Sequence, residues 1–287
     1  MKTPDNSRVL VLGLARNVAH TLVDEFENLK NALTSFKQVN FLVLESDSED
    51  RTIEVLESIS RDNPSFHFIT SGKMKNQIPN RIDRISFCRN KLLKSAQAYA
   101  EEVDYVVVAD LDGVNSQLTR KAIESCWQRN DWDVCTANQT FNYYDIYALR
   151  HKTLSPNDCW DEYQKLRQAG IHPMKARQIS VYSRQIHIPA ESEWIDVDSS
   201  FGGLAVYRAR TYFSSEYASR NKDGSLICEH VEFHRRIKAG GGKIYINPNM
   251  INSHGIRKTS LRYKFLFFIK YVFSFTAPSL FARRFGQ

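Results

Sequence analysis

Apolar residues follow two different spacings along the first half of the chain. Residues 8–13 form a short apolar run with β-branched side chains, and the apolar residues after it recur every three or four positions. This change of spacing predicts a strand, a loop and a helix. The same alternation predicts three more strands and three more helices. The strands are expected at 39–44, 66–69 and 105–109, and the helices at 53–59, 85–100 and 118–127.

The second half of the chain is less regular. Beyond an aromatic-rich stretch, a helix is predicted at 158–168, and the spacing at 179–188 favours a hairpin. Two short apolar runs, at 204–207 and 243–246, predict strands that enclose a helix at 230–239. Three glycines follow that helix and are expected to end it.

Strands that alternate with helices predict an α/β fold with a mainly parallel sheet. The fourth predicted strand is apolar throughout, which indicates burial on both faces beneath flanking helices. In such folds, ligands bind beyond the carboxyl ends of the strands. We therefore expect the functional residues immediately after strands.

The composition is typical of a folded catalytic domain. The chain has 287 residues, of which 42% are hydrophobic and 25% are charged, and no Pro-, Gly- or Ser-rich linker divides it. We expect one catalytic domain over residues 1–255 and a tail over residues 256–287. The five cysteines are widely spaced and form no C-x-x-C pair, which argues against a disulfide framework and a cysteine-ligated zinc site. Cysteines in this pattern are typical of a protein in a reducing cytoplasm.

The net charge of +7 is concentrated in the tail. Residues 256–287 contain seven basic residues, nine aromatic residues and no acidic one. Of the 39 basic residues in the chain, 32 therefore lie in the body, which also contains all 32 acidic residues. A neutral body disfavours nucleic acid as a partner. A basic and aromatic tail is typical of an amphipathic helix on anionic lipids, so we expect peripheral attachment to the cytoplasmic face of a membrane. Packing of the tail on the catalytic domain or a homodimer contact is the alternative.

Two carboxylates stand directly after the fourth predicted strand. Asp110 and Asp112, with Leu111 between them, leave the sheet at its carboxyl edge, where they could share a hard divalent cation. A helix cap before Leu118 is the alternative for an isolated pair. A calcium loop is excluded because its twelfth position, counted from Asp110, is Lys121 rather than a bidentate glutamate.

In the order and spacing of its motifs, the chain resembles the nucleotide-sugar glycosyltransferases of the GT-A fold. The likeness covers about residues 8–255 and is greatest to the fungal capsule-associated α-1,3-mannosyltransferases and their bacterial and viral relatives. The segments that carry it are Gly13–Asn17, Glu45–Ser48, Arg84–Asn90, Asp110–Asp112, Tyr144–Arg150, Phe201–Tyr207 and Cys228–His234. The resemblance implies a Rossmann-like GT-A sheet with a smaller acceptor-side region. It also implies Mn²⁺ or Mg²⁺ held by Asp110 and Asp112 against the diphosphate of the donor.

Residues after the first two strands are candidates for donor binding. Ala15, Arg16 and Asn17 open a helix, so that backbone N–H groups and a guanidinium can face a nucleotide. A surface arginine beside a helix cap is the alternative. Glu45 and Asp47 follow the second strand, where a carboxylate can accept hydrogen bonds from ribose hydroxyls or a base N–H. Helix capping is the alternative for that stretch.

Two further groups complete the expected donor site, together with Asp110 and Leu111. The resemblance implies that Arg89 and Asn90, one helical turn beyond Arg84, point into the donor pocket, although an isolated pair of this kind would be typical of solvated surface. Gly202 and Gly203 precede a predicted strand and permit close approach of the backbone to a sugar or diphosphate. A plain turn is the alternative at the two glycines.

Glu229 and His230 begin a predicted helix on the acceptor side. The resemblance places there a pair of acids that touch the acceptor hydroxyl, and a carboxylate in that place can remove the acceptor proton or orient the hydroxyl. Because the second residue of this pair is a histidine, the catalytic base is unassigned. Favourable charge at the start of a helix is the alternative role for Glu229. The resemblance also implies His254 as a third metal ligand, since imidazole is acceptable to Mn²⁺. A zinc pair of His230 and His234 is disfavoured because it lacks a nearby third ligand.

These features predict a metal-dependent hexosyltransferase. It would move a sugar from a nucleoside-diphosphate sugar to a glycan or lipid-linked glycan in the synthesis of a capsule- or lipopolysaccharide-type surface polysaccharide. The alternative is a catalytically silent protein that binds carbohydrate or nucleotide on the same fold.

Overall fold

A mixed eight-stranded sheet forms the centre of the molecule, whose computed structural model describes residues 1–255. The strands are β1 Arg8–Ala15, β2 Gln38–Glu45, β3 Phe66–Thr70, β4 Tyr105–Asp110, β5 Val134–Gln139, β6 Ile195–Asp196, β7 Leu204–Arg208 and β8 Ile244–Ser253. They lie in the order β3-β2-β1-β4-β7-β5-β8-β6. The α-helices are α1 Leu22–Ala32, α2 Thr52–Asp62, α3 Arg81–Ala96, α4 Arg120–Glu124, α5 Cys159–Gln168, α6 Pro173–Ser180, α7 Ala209–Phe213 and α8 Glu229–Ala239.

The first half of the sheet is parallel and buried on both faces. Strand β1 pairs in parallel with β2 and with β4, and β2 pairs in parallel with β3. Alternate residues of β1 enter different cores: Leu10 and Leu12 belong to one, and Val9 and Val11 to the other. A strand with apolar contacts on both sides must be apolar at every position, which explains the continuous runs in the sequence.

Helices α1 and α3 cover opposite faces of this parallel half. The apolar side of α1, with Leu22 and Phe26, packs in the core that contains Val9, whereas Cys88 and Leu92 of α3 pack in the other core. Helix α3 begins at Arg81 because the side chain of Asn80 accepts hydrogen bonds from the two backbone N–H groups of residues 82 and 83.

Strand β7 reverses the sheet beside the candidate site. It runs antiparallel to both β4 and β5, while β5 and β8 pair in parallel. The backbone N–H of Asp110 donates to the carbonyl of Gly203 at 2.9 Å. The end of β4 is thereby tied to the turn that precedes β7.

The expected α/β class is confirmed, but the sequence missed strand β5, and the expected hairpin is wrong. Strand β5 was not predicted, because its second half is polar although fully buried. The hairpin expected at 179–188 is instead the end of α6 followed by a turn of 3₁₀ helix at Tyr182–Arg184. Helix α6 begins with Pro173 and is capped by His172, two start signals that outweigh the alternation of apolar residues after them.

Within residues 1–255, no helix is long and apolar enough to cross a membrane. The tail expected to lie on a membrane, residues 256–287, is outside the described part of the chain.

Candidate active site

A cleft of about 390 Å³ opens at the carboxyl ends of β1 and β4. It lies where ligands bind in sheets of this type. The residues predicted for donor or metal binding that line it are Ala15, Arg16, Asn17, Arg84, Arg89, Asp110, Leu111 and Asp112. Arg81 is a further cation on its wall and was not predicted. The structure therefore brings together residues of three separate sequence motifs.

The loops after β1 and β2 brace each other through side chains predicted to bind the donor. Asn17 has a φ of 53°, and its Oδ1 accepts from the backbone N–H of Glu49 at 2.7 Å. Glu45 is buried; one of its carboxylate oxygens accepts from the N–H of Ser48 at 2.9 Å and the other from the hydroxyl of Thr70 at 2.6 Å. Glu45 therefore holds the loops together and does not line the cleft, and its expected contact with a ribose stays a prediction.

Asp47 is also engaged within the protein. Its φ is 59°, and its carboxylate accepts from the N–H of Lys75 at 2.7 Å and lies 3.3 Å from Nε of Arg84. Arg84 in turn donates to the carbonyls of Ile78 and Pro79 at 2.7 and 3.1 Å. The structure places Arg84 on the cleft wall but withdraws Asp47 from it, since this ion pair is buried.

Asp110 and Asp112 stand together at the mouth of the cleft. Asp112 is exposed, and 38% of the Asp110 side chain is accessible. Burial raises the pKa of Asp110 to about 7, Arg89 acts in the opposite direction, and the neighbouring charge of Asp112 raises it further. A pair of carboxylates that repel each other in this way presents oxygen ligands suited to a hard divalent cation.

A buried polar network supports the turn that carries these carboxylates. Asn115 is fully buried; its amide N–H₂ donates to Glu25 at 2.9 Å and to the carbonyl of Asp110 at 2.8 Å. Its backbone N–H donates to the other oxygen of Glu25, and its Oδ1 accepts from Asn252 at 3.0 Å. Asn252 also donates to the carbonyl of Gly202. The network thus joins α1, the turn after β4, the end of β8 and the turn before β7.

Arg89 forms a buried bridge between the carboxylates of Asp110 and Glu229. Its Nε donates to Glu229 at 3.0 Å, and its Nη2 lies 3.4 Å from Asp110. The guanidinium also lies over the rings of Phe201 and Tyr217, at 5.4 and 5.7 Å. Burial lowers the pKa of Arg89, but Glu229, Tyr217 and Asp110 together outweigh this effect and the pKa is raised overall. Arg89 therefore stays charged beside both carboxylates.

Asn90 does not line the cleft. Its side-chain amide donates to the carbonyl of Tyr217 at 2.8 Å and accepts from the N–H of the same residue at 2.9 Å. These two bonds fix the segment before α8 against α3. Both ends of the amide are therefore used on the backbone, and the expected contact of Asn90 with a donor stays a prediction.

The two glycines before β7 serve close packing within the protein. Gly202 and Gly203 have φ values of 69° and 85°. A Cβ on Gly202 would lie 2.9 Å from the carbonyl oxygen of Ala137, and one on Gly203 would lie 2.7 Å from the Val114 side chain. Neither glycine lines the cleft. The left-handed backbone and the tight contacts with neighbouring segments explain both residues without an approach to the donor.

Beside this cleft lies a smaller cavity of about 180 Å³. We call it the inner cavity; the lining residues that it does not share with the cleft include Tyr144, Asp145, Tyr147, Phe201, Cys228, Glu229 and His230. It shares Arg81, Ile85, Arg89 and Asp110 with the cleft. Glu229 and His230, predicted from the start of α8, therefore line a space next to the cleft that contains Asp110 and Asp112.

His254 does not join the two aspartates. Strand β8 continues to Ser253, the backbone carbonyl of His254 accepts from the N–H of Phe141, and the imidazole lies 5.9 Å from the Phe141 ring. In the described range 1–255, no group of three or more His, Cys, Asp or Glu side chains could hold a metal ion. The predicted triad of Asp110, Asp112 and His254 is therefore not assembled.

The zinc pair considered for His230 and His234 is also absent. His234 is fully buried, with its two ring nitrogens 3.0 Å from the hydroxyl of Ser199 and 2.9 Å from that of Tyr207. Both nitrogens are used inside the core, so His234 is structural.

Three residues of the site were missed as functional candidates. Asp145 accepts from the N–H groups of Gly202 and Ala148, and burial raises its pKa. Phe201 stacks on His230, with 3.9 Å between ring centroids. Asn115 supports the Asp110 turn. Asp145 and Phe201 lie inside motifs that carried the resemblance, which was the available signal, whereas nothing in the sequence distinguishes Asn115 from an ordinary loop asparagine.

The fold is similar to that of solved glycosyltransferases. The mannosyltransferase PcManGT from Pyrobaculum calidifontis, solved in complex with GDP-Man and Mn²⁺, is 12% identical, with a TM-score of 0.50 over 96% of this chain and 64% of that chain. S. aureus TarS, solved with UDP-GlcNAc, is 11% identical with a TM-score of 0.43, over 83% of this chain and 55% of that chain. Mannosyl-3-phosphoglycerate synthase from Rubrobacter xylanophilus is 14% identical with a TM-score of 0.38, over 72% and 54%.

The likeness to PcManGT shows a shared fold, the GT-A arrangement expected from the sequence. The chain spans less than two thirds of the length of each of these three proteins. No protein-family model and no curated protein matches the sequence. The finer resemblance to capsule-associated α-1,3-mannosyltransferases stays a prediction.

Proposed function

We propose that the protein is a metal-dependent glycosyltransferase that uses a nucleoside-diphosphate sugar. The observation that carries the proposal is the pair Asp110 and Asp112 at the mouth of a cleft, at the carboxyl end of a central strand. A fold of this type houses GDP-Man and Mn²⁺ in PcManGT. The cations Arg16 and Arg81 on the same cleft wall add to the attraction for a diphosphate.

The carboxylates present fit Mn²⁺ or Mg²⁺ as a two-ligand site. A hard cation bound by one or two carboxylates takes its remaining ligands from phosphate oxygens and water, so a third protein ligand is not required. Asp110 and Asp112 would hold the ion, with Asp110 also near the ribose. When bound, the ion would supply a positive charge next to the leaving diphosphate.

The chain's own residues perform the rest of the proposed reaction. Arg16, Arg81 and the backbone after β1 hold the diphosphate and stabilise the charge that develops on it. Glu229, fixed by the Nε–H of Arg89, directs its second carboxylate oxygen toward the acceptor hydroxyl and orients it or removes its proton. Asn115 and Asn252 keep the metal-binding turn in place. Arg89 acts as a positioning residue through its Nε, which donates to Glu229, and its Nη2, which lies beside Asp110.

We extend the proposal to the biological setting predicted from the sequence. The acceptor is a glycan or lipid-linked glycan of a capsule- or lipopolysaccharide-type polysaccharide, and the catalytic domain over residues 1–255 works at the cytoplasmic face of a membrane. The seven basic and nine aromatic residues of the tail support membrane attachment.

A donor screen tests the proposed activity. Full-length protein with Mn²⁺ is incubated with UDP-, GDP- and TDP-sugars, and release of the nucleoside diphosphate is measured. We expect slow hydrolysis of one class of donor, which stops on addition of EDTA. Thermal stabilisation by a donor without any turnover, even with glycan acceptors present, would instead support the catalytically silent alternative.

A further inference from the structure

The neutral body of the protein, residues 1–255, has two oppositely charged sides. Residues 24–62, which include α1 and α2, contain ten acidic and four basic residues, whereas residues 71–100, which include α3, contain seven basic residues and one acidic residue. Helices α1 and α2 pack in the core that contains Val9, and α3 packs in the core on the other face of the sheet. The body therefore has an acidic α1–α2 side and a basic α3 side.

The outer side of α3 exposes an aromatic ring and two lysines in a row. Phe87, Lys91 and Lys94 follow one another at intervals of four and three residues, which places them on one side of the helix. The side chain of Phe87 is 43% exposed, and both lysines are exposed. Within residues 1–255, neither lysine forms an ion pair. The row is therefore available to a partner outside the chain.

Two loops bound to α3 extend this row on either side. Arg84 donates to two backbone carbonyls of the loop over residues 72–80. Asp83 pairs with Arg220, at 2.6 Å, in the loop over residues 218–226, so the one acidic charge of the helix is already balanced. The exposed cations of the two loops are Lys73, Lys75, Arg220 and Lys222. We call these four cations, together with Phe87, Lys91 and Lys94, the α3 face.

An anionic lipid surface fits the α3 face. Its cations are spread over a helix and two loops and do not converge on one small anion, whereas the charged headgroups of a membrane are spread in the same way. The exposed ring of Phe87 can enter the boundary between headgroups and acyl chains. The same surface repels the acidic α1–α2 side, so both sides of the body favour one orientation. The basic and aromatic composition of the tail favours lipid over nucleic acid as the partner.

We infer that the α3 face is a second membrane-contact surface, which turns the body so that α3 lies on anionic headgroups and the α1–α2 side points to the solvent. The inference rests on the membrane setting of the proposed function and adds the orientation of the site to it. Helix α3 begins with Arg81, which lines both the cleft and the inner cavity. This orientation therefore brings the cleft to the surface in which a lipid-linked acceptor is embedded.

The α3 face orients the body but does not attach it without the tail. Each cation near an anionic surface contributes about fivefold to the affinity. Its five cations other than Arg220 therefore contribute less than about 10⁴-fold, and a single myristoyl chain, with an association constant of about 10⁴ M⁻¹, binds only marginally. Once the tail holds the protein at the surface, the same contacts are intramolecular and decide which side of the body meets the lipids.

Environment-sensitive dyes at two positions measure this orientation. The full-length protein is labelled at Phe87→Cys or, on α2, at Glu57→Cys, and its five native cysteines are buried. Each labelled protein is mixed with vesicles of equal parts phosphatidylglycerol and phosphatidylcholine, or of phosphatidylcholine alone. We expect the emission of the dye at position 87 to shift to the blue with the anionic vesicles only, and the dye at position 57 to remain in water with both.

A pair of double variants assigns the orientation to charge on α3. We expect Lys91→Glu with Lys94→Glu to abolish the shift at position 87 and to weaken binding to the anionic vesicles at least about tenfold at low salt. Arg61→Glu with Lys121→Glu changes the net charge equally, but on α2 and α4, which pack on the other face of the sheet. We expect this control to keep the shift and most of the affinity, and both double variants to keep donor hydrolysis in solution.

Four results would overturn the inference. They are no shift at position 87, equal shifts at positions 87 and 57, equal weakening in the two double variants, and a shift at position 87 with an oligonucleotide but not with anionic vesicles. If the full-length protein does not bind the vesicles at all, the membrane setting and the inference fail together. Donor hydrolysis with Mn²⁺ is measured without vesicles, so the proposed glycosyltransferase activity stands or fails separately.

Discussion

Replacement of Asn115 by alanine separates support of the proposed metal site from support of the fold. The side chain makes three hydrogen bonds: to Glu25 and to the carbonyl of Asp110 as donor, and from Asn252 as acceptor. Asn115→Ala removes all three at once. It also leaves one oxygen of the Glu25 carboxylate, which is 1% exposed, without this donor.

The expected loss in the free energy of unfolding follows from these contacts. Three buried hydrogen bonds at about 1 kcal/mol each, together with an unpaired carboxylate oxygen, give a loss of about 4 kcal/mol in the free energy of unfolding. In a domain of this size, that loss lowers the melting temperature by about 10 °C. The freed Asp110 turn also weakens metal binding, and loss of such a supporting residue typically costs about 10–100-fold in affinity.

The assay needs a variant with a comparable structural cost elsewhere in the molecule. Asn247 is also fully buried; it donates to Ser125 at 2.8 Å and accepts from the N–H of Asn249 at 3.0 Å. We therefore expect Asn247→Ala to lower the melting temperature without any change in Mn²⁺ affinity. Mn²⁺ binding is measured by calorimetry in the presence of a nucleoside diphosphate, at a temperature where both variants are folded.

Two results would refute this reasoning. Mn²⁺ affinity in Asn115→Ala equal to that of the wild type would show that the network does not position the metal ligands. Equal weakening in Asn115→Ala and Asn247→Ala would show that the effect is general loss of stability. Asn252→Ala also removes three buried side-chain hydrogen bonds, to Asn115, to the carbonyl of Gly202 and from Gln139, so we expect a comparable fall in the melting temperature. It leaves the bond from Asn115 to the carbonyl of Asp110 in place, so we expect a smaller loss of Mn²⁺ affinity than in Asn115→Ala.

Three further predictions concern the acceptor, the pH dependence and the tail. Glu229→Gln should bind the nucleotide sugar normally but transfer poorly at saturation, and a loss of donor affinity with normal transfer would assign Glu229 to the donor. Because Asp110 in the folded protein keeps its proton up to about pH 7, Mn²⁺ binding should release a proton and tighten from about pH 6 to 8, which calorimetry in two buffers measures. Without metal, the same raised pKa makes the free energy of unfolding fall as pH rises from about 4 to 7, and Asp110→Asn should flatten both profiles. Truncation after Gly255 should abolish binding to anionic liposomes at low salt but preserve donor hydrolysis, and indifference of the full-length protein to such liposomes would contradict membrane attachment.

The sequence predicted those strands in which every position is apolar because both faces of the strand are buried. Strands β1 and β4 lie between two apolar cores, so their runs are continuous and readable. Strand β5 was missed because Thr136, Asn138 and Gln139 are fully buried polar residues. Their partners, such as Ser200 and the carbonyls of Pro248 and Gly202, lie 63 to 110 positions away and are defined only by the fold.

The candidate site was predicted in outline for the same reason. The rule that functional residues follow strands correctly placed Asp110, Asp112 and Arg16 on the cleft. It did not separate them from Glu45 and Asp47, which also follow a strand but are used to join loops. The difference depends on which side chains find protein partners, and the spacing of residues in the sequence contains no information about those partners.

Metal-dependent nucleotide binding by Asp112→Asn tests the proposed function most directly. The wild type is titrated with GDP and with UDP in Mn²⁺ and in EDTA, and Asp24→Asn, a change at an exposed aspartate of α1, serves as control. We expect one nucleotide to bind the wild type and the control only with Mn²⁺, and binding to Asp112→Asn to weaken by at least about tenfold without a change in melting temperature. Binding that is equally tight in EDTA, or unaffected in Asp112→Asn, would contradict a metal-assisted diphosphate site at the end of β4.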